Sequence, residues 1–161
     1  MRAQEIGLMR RTGVYAVFVA VALAAMVTSA RAQDPDRVDK VSKGTFATTL
    51  KNVESALKAE HMMIVARVDH KNMLSMVGAK IEGVTTIEFG KPDMGKMLLP
   101  MNAGIGLEMP GKIYVYESGD GKVIVSYRKS AKQFATYGPD VAKAGEMMDM
   151  TVDKITSAAT Q

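Results

Sequence analysis

Methionine is the residue whose type and spacing most invite a chemical reading of this chain. Fourteen are present and cysteine is absent. Apart from Met1, Met9 and Met26, they gather as Met62-Met63, Met73 and Met76, Met94, Met97 and Met101, Met109, and Met147, Met148 and Met150. A thioether is a soft donor that selects Cu(I), and a chain without thiolates would have to rely on it. Met94, Met97 and Met101 share one Gly- and Pro-rich stretch, where they could converge on copper with His61 or His70 completing the set. The competing reading is packing, because methionine fills irregular core gaps and soft partner surfaces. Met73 and Met76 stand at helical spacing and are read as core.

His61 and His70 are the two histidines of the chain. His70 follows Asp69 at an expected strand-to-helix junction, where free backbone N–H groups adjoin an imidazole that titrates near neutrality. One reading is an enzyme using His70 with Asp69. The plainer one is a ring that packs or bonds locally beside a capping aspartate. No nucleophile elbow or Ser-His-Asp pattern accompanies it. Paired carboxylates of recognisable spacing are also missing, so hydrolysis has little support. Asn102-Ala103-Gly104-Ile105-Gly106 lacks the Lys-Ser/Thr of a phosphate loop and the spacing of a dinucleotide fingerprint.

Residues 1–32 read as a secretory signal peptide. Arg2, Arg10 and Arg11 form a basic start, Val14 to Val27 is apolar, and Ala30-Arg31-Ala32 is a cleavage signal. Export to the periplasm, or secretion, is expected, with no membrane attachment once the leader is cut; a leader kept as an N-terminal anchor is the alternative. The leader holds Arg2, Arg10, Arg11 and Arg31 against Glu5, and so supplies +3 of the chain's net charge of +4. A mature charge of +1 gives no argument for nucleic acid. The scattered Lys40, Lys43, Lys51 and Lys58 have no interleaved aromatics and read as a solvated face. Cleavage after residue 32 of 161 leaves 129 residues, enough for one domain with a core. Without disulfides, packing must hold it together.

Residues 33–43 are polar and read as a flexible tether, with the folded domain spanning 44–161. Thr45-Phe46-Ala47 is expected to open the domain as a short strand, and Thr48 or Thr49 to cap a helix carrying Leu50, Val53 and Leu57. Met63 to Val68 reads as a strand with Ile64, Ala66 and Val68 on one face. Thr85 to Phe89 reads as another, broken by Gly90-Lys91-Pro92. A crossing loop, Asp93 to Pro110, follows, with at most a short helix around Met97 to Leu99. The firmest local signal is the hairpin, Lys112–Glu117 and Lys122–Tyr127 joined across Asp120-Gly121. Tyr114 and Tyr116 alternate with Ile113 and Val115, so either both faces of the sheet are covered or the tyrosine face is a binding or dimer surface. Helices over Ala131–Tyr137 and Val141–Ile155 end the chain. The order predicts an α+β fold, a single antiparallel sheet with helices mainly on one face.

Several of these segments, in order, resemble the domain-of-unknown-function 302 family. They are Phe46 with the helix Val53–Leu57; Val65-Ala66-Arg67-Val68-Asp69-His70; Thr86 to Gly95; and Leu107-Glu108-Met109-Pro110 followed by the hairpin to Tyr127. The resemblance covers roughly Gly44 to Tyr137. It implies a compact antiparallel sheet similar to the TATA-binding-protein-like arrangement, a homodimer, and no established activity. The chain departs from the family pattern at Lys91, where Asn is usual, and at Lys96-Met97, where Thr-Pro is common. Asp69, His70, Phe89, Gly90 and Pro92 are the expected ligand-binding residues, lining one cleft beneath a Met94–Met101 lid. Met94, Met97, Met101 and His61 are the candidate metal set. The function read here is a non-enzymatic periplasmic binding or interaction domain, with Cu(I) handling as the alternative and an enzyme using His70 as the third.

Overall fold

The computed structural model describes residues 34–161; the leader read over residues 1–32 lies outside them. Five strands form one antiparallel sheet in the order β1-β5-β4-β3-β2. They are β1 (Arg37–Ser42), β2 (Met63–Asp69), β3 (Val84–Gly90), β4 (Gly111–Glu117) and β5 (Val123–Arg128). Two long helices, α1 (Phe46–Ala59) and α5 (Pro139–Ala159), lie across one face. Their buried stripes, Leu50, Val53 and Leu57 from α1 and Met148, Val152 and Ile155 from α5, close on Ile87, Phe89, Ile113, Val115 and Val125 of the sheet. Each such side chain, fully buried, contributes roughly 1.5–3 kcal/mol, which is the hold a cysteine-free domain needs. The other face, which carries Tyr114 and Tyr116, is not covered by α1 or α5.

The hairpin forms as its residues demand. Gly121 takes the left-handed conformation, φ 79°, and its N–H reaches the Ser118 carbonyl at 2.8 Å. Ile113 and Val115 are buried while Tyr114 stays part-exposed, so β4 alternates between core and open face.

Several local expectations change. The tether is only partly one, because residues 37–42 are the edge strand β1, paired along its length with β5 from Arg37 opposite Arg128 to Ser42 opposite Val123. Its inward positions are Val38, Lys40 and Ser42, one apolar residue among three, so hydrophobic alternation cannot reveal it. Lys40 reaches the helix instead, its ammonium bonding Asp153 at 2.8 Å and Ser157 at 2.6 Å. Thr45 to Ala47 is not a strand: Thr45 caps α1, its hydroxyl accepting from the Thr48 N–H at 3.3 Å, and neither Thr48 nor Thr49 is the cap. In β2 the register shifts between Ile64 and Ala66, so Ile64 faces Phe89 on the core side while Ala66 and Val68 face Glu88 and Thr86. Those three residues therefore do not share one face.

The crossing loop is mostly helical. Pro92 starts α3 (Pro92–Met101), where the missing N–H costs nothing, and Pro100 sits in its last turn. A 3₁₀ turn (Ala103–Glu108) then leads into β4. Two prolines and a mid-helix glycine disguise this segment, but Leu98, fully buried, anchors it. Leu98 joins Ile105, Phe134, Val141 and Ala144 in a second, smaller apolar cluster, beside the short helix α4 (Ala131–Ala135). Finally α2 (His70–Ser75) buries none of its residues. Met73 and Met76 are 51% and 75% exposed and are not core, because this short helix has no element packed over it.

Candidate functional site

At the C-terminal end of β3 the two apolar clusters meet, and between them lies a cavity of about 480 Å³. Phe89 and Met148 belong to the sheet core and Phe134 to the smaller cluster, while Met94 packs against both. Around this seam the lining is completed by Met63 and Val65 from β2, by Pro92, Gly95 and Leu99 of α3, and by Met109-Pro110 before β4. Polar residues are few: Ser130, Glu108, Lys91 and Lys96. Glu108 is occupied, accepting from the Tyr137 hydroxyl at 2.8 Å, and that bond raises the tyrosine above its ordinary pKa. Neither Lys91 nor Lys96 has an ion-pair partner among the described residues.

The glycines around the cavity differ in what they permit. At Gly111 an added Cβ would stand 2.8 Å from the Phe89 ring, so glycine there lets the ring lie on the β4 backbone. At Gly95, inside α3, an added Cβ would meet nothing within 4 Å, and φ is not left-handed. Glycine at this position therefore serves neither the helix nor its packing.

Phe89, Gly90, Pro92 and Met94 thus share one cavity. Asp69 and His70 do not join them, and the single cleft expected from the sequence is not formed. Strands β2 and β3 are antiparallel, with Met63 opposite Gly90 and Asp69 opposite Thr85. The C-terminal end of one strand therefore lies beside the N-terminal end of the other. Asp69 caps α2, its carboxylate accepting from the Asn72 N–H at 3.0 Å. His70 turns to the open face of the sheet, where Nε2 lies 2.8 Å from the Thr86 hydroxyl and the ring stands edge-on to Tyr114 at 6.1 Å. Among the described residues, the enzyme reading therefore has no carboxylate bonded to the imidazole.

The metal set also divides. Met94 reaches the cavity, but Met97 and Met101 are half-exposed and outside its lining, as is His61, in the turn before β2. Met63, Met109 and Met148 take their place, so four thioethers line one space. Sequence reasoning missed those three along with Lys96, Gly95 and Phe134. Met63 was accessible to it, since antiparallel pairing with β3 requires the start of β2 to lie beside Gly90. Phe134 and Met148 arrive from distant helices without any local signal.

A second cavity, about 470 Å³, adjoins the first, sharing Phe89, Met109 and Met148 with it, and is also lined by Arg37, Lys112, Tyr114 and Arg128. Its cations are already matched. Arg37 bonds Asp39 at 2.8 Å, Lys112 lies 3.8 Å from Glu88, and Arg128 is paired with Asp34. Arg37 also donates to the Tyr116 hydroxyl at 3.1 Å, and the Ser126 hydroxyl donates to Asp39. Burial works against the Asp39 carboxylate, yet the bonds from Arg37 and Ser126 outweigh it and hold its pKa below the ordinary value. Tyr114 and Tyr116 lie side by side, ring centres 5.2 Å apart. This face is a closed network of satisfied charges, whereas the cavity at the end of β3 keeps its lysines free.

Comparison with known proteins agrees with the fold. The family model described as "Domain of unknown function DUF302" matches residues 38–159. A crystal structure of an uncharacterised conserved DUF302 protein from Bacillus stearothermophilus superposes with a TM-score of 0.72 at 15% identity, covering 79% of this chain and 99% of that one. Among curated proteins, the chain is similar to a fluoride-specific ion channel, FluC 1, of Brucella suis, 31% identical over 90 residues, which is 56% of this chain and 35% of that protein. FluC 2 of Brucella melitensis matches at the same identity over 33% of its length. The chain thus spans about a third of the length of the curated relatives it matches.

Proposed function

Because the chain belongs to the DUF302 family, whose name attaches no activity to it, we propose a function from the site itself: an exported, non-enzymatic binding domain that holds a small, largely apolar ligand at the end of β3. A cavity of a few hundred Å³, mostly apolar and carrying a few polar groups, is the usual form of a small-molecule site.

Gly95 carries this reading. A glycine in a helix interior costs about 1 kcal/mol relative to alanine. The chain accepts that cost where an added methyl group would point into open space. A helical glycine that no neighbour requires, beside a mostly apolar cavity, is what room for a ligand would leave behind. A neutral naphthylamine dye, whose fluorescence rises in apolar surroundings, tests it directly. Wild-type protein is expected to bind the dye and Gly95→Leu to lose it, with the circular dichroism unchanged. Equal dye binding by the two proteins would place the dye elsewhere and defeat the reading.

One observation keeps a second reading, Cu(I) handling, in play. Four thioethers, from Met63, Met94, Met109 and Met148, line the same cavity, and soft sulfur is what Cu(I) prefers. It predicts retention of Cu(I) against a competing chelator, and loss of retention when Met94 and Met109 become Leu, a nearly volume-conserving change. Wild type that surrenders all its copper to the chelator removes this reading.

Export through the 1–32 leader to the periplasm or beyond, and pairing of two copies through the uncovered Tyr114–Tyr116 face, complete the proposal. Light scattering on the chromatographed protein tests the pairing; a monomer across micromolar concentrations rules it out. Fluoride conduction is not carried over from the Brucella relatives, because the match covers only about a third of those proteins. No helix of the described residues is long and apolar enough to cross a membrane.

A further inference from the structure

We infer that the occupant of this cavity is a single-chain amphiphile with a monoanionic head, such as a medium-chain carboxylate; this deepens the cavity reading above and rests on it. The alkyl chain lies among Phe89, Met94, Met109 and Phe134, and the acid group meets Lys91 and Lys96.

The interior argues for a flexible apolar chain. Its walls are thioether, aromatic and aliphatic, and methionine walls adapt to a ligand that has no fixed shape. Small-molecule sites run from about 300 to 1,000 Å³. At about 480 Å³ this one lies in the lower half of that range, room for one chain rather than the two of a bilayer phospholipid.

Charge argues for the head group. Lys91 and Lys96 are the only cations in the lining, one at the N-cap of α3 and one in its second turn. The acidic residue of the first turn, Asp93, is not part of the lining. Glu108 also lines the cavity, its carboxylate accepting from the Tyr137 hydroxyl, so the lining sets two cations against one anion. Arg37, Lys112 and Arg128 of the neighbouring cavity each have a carboxylate within ion-pair distance, whereas these two lysines have none among the described residues. Partnerless cations beside an apolar hollow match a ligand that is apolar at one end and anionic at the other. Ammonium-to-carboxylate hydrogen bonds are the strong, charge-assisted kind, so the head group sets the preference.

The experiment displaces the naphthylamine dye from purified protein with three ligands of equal chain length: decanoate, decanol and decyltrimethylammonium. Decanoate is expected to displace the dye at a concentration about tenfold below that needed for decyltrimethylammonium, with decanol between them, a tenfold step being about 1.4 kcal/mol. Lys91→Glu combined with Lys96→Glu is expected to invert that order, with circular dichroism confirming that the variant is folded. Gly95→Leu, which does not hold the dye, is expected to bind none of the three when titrated directly by calorimetry. If the dye binds but the three ligands compete equally, or the double charge reversal leaves their order unchanged, the head-group inference is overturned and the cavity reading stands. If neither dye nor any alkyl ligand binds wild type, both fall. Binding to phosphatidylglycerol vesicles without any response to decanoate would also overturn it, in favour of a membrane surface.

Discussion

Gly95 and Gly145 make opposite demands on an added methyl group. At Gly95 the methyl meets open space; at Gly145, in α5, it would stand 2.8 Å from the Ala131 backbone and 2.8 Å from Phe134 Cβ. Gly95→Ala is therefore expected to stabilise the fold by about 0.5–1 kcal/mol through helix propensity alone. Gly145→Ala is expected to destabilise it by about 1–3 kcal/mol, since backbone at that distance cannot move aside as a flexible side chain would. Urea unfolding of both variants checks the pair, and a destabilised Gly95→Ala would mean that the position has a packing role after all. At this scale the sequence was partly legible. Phe89, Gly90, Pro92 and Met94 were recognisable as special and do meet. What could not be read was which glycine a neighbour requires and which one it does not, because that depends on residues far along the chain.

Among the elements, β1 was the hardest to foresee and has the most conditional hold. Its inward Lys40 is fixed by Asp153 of α5, and the same carboxylate accepts from the Tyr127 hydroxyl at 3.0 Å. The bond from Lys40, and then that from Tyr127, hold Asp153 below its ordinary pKa of 3.8 in the folded protein. Unfolded, the group returns to about 3.9. The folded state therefore binds this proton more weakly, and the contribution to stability is complete above about pH 5 and lost as the pH falls through the depressed folded value, below 3.8. Asp39, on the other face of β1, is shifted in the same direction and adds to the effect. The Asp153 side chain is 58% exposed, so the loss stays within about 1 kcal/mol and falls on the strand rather than on the whole domain. Amide protection factors of β1 are expected to drop between pH 5 and pH 3 ahead of those in β3 and β4. Lys40→Ala is expected to show the low protection at both pH values. A β1 that keeps its protection at pH 3 would show that backbone pairing with β5 suffices. A comparable device serves α4: Asp149 of α5 accepts from the Ser130 N–H at 2.5 Å and the Ala131 N–H at 3.2 Å. Asp149→Ala is expected to cost about 1 kcal/mol, as loss of a helix cap does, again measured by urea unfolding.

For the whole molecule, the α+β class, the antiparallel sheet and the one-sided helices followed from element order, because the hairpin and the two long amphipathic helices state their periods plainly. The site was less legible for a topological reason. Asp69-His70 and Phe89–Pro92 both close strands, and reading along the chain suggests that strand ends gather in one place. In an antiparallel pair successive C-terminal ends lie at opposite edges, so that expectation conflicted with the predicted sheet itself. The structure resolves the conflict by matching the end of β3 with the start of β2, which is how Met63 reaches the cavity. The division of the interior into two apolar clusters has a further consequence, for motion. The smaller one has five buried residues, Leu98, Ile105 and Phe134 with Val141 and Ala144 from the start of α5, and Met94 packs against both clusters. A unit with so little buried surface opens at a lower free energy than the global transition. Native-state exchange is expected to release the amides of α3 and the 3₁₀ turn first, well before those of β3 to β5. A molecule seated on the seam would stitch the two units into one cooperative body, so that occupancy is read as slower exchange in α3. If α3 amides in the free protein already exchange only with global unfolding, the halves are a single unit and a ligand has nothing left to join.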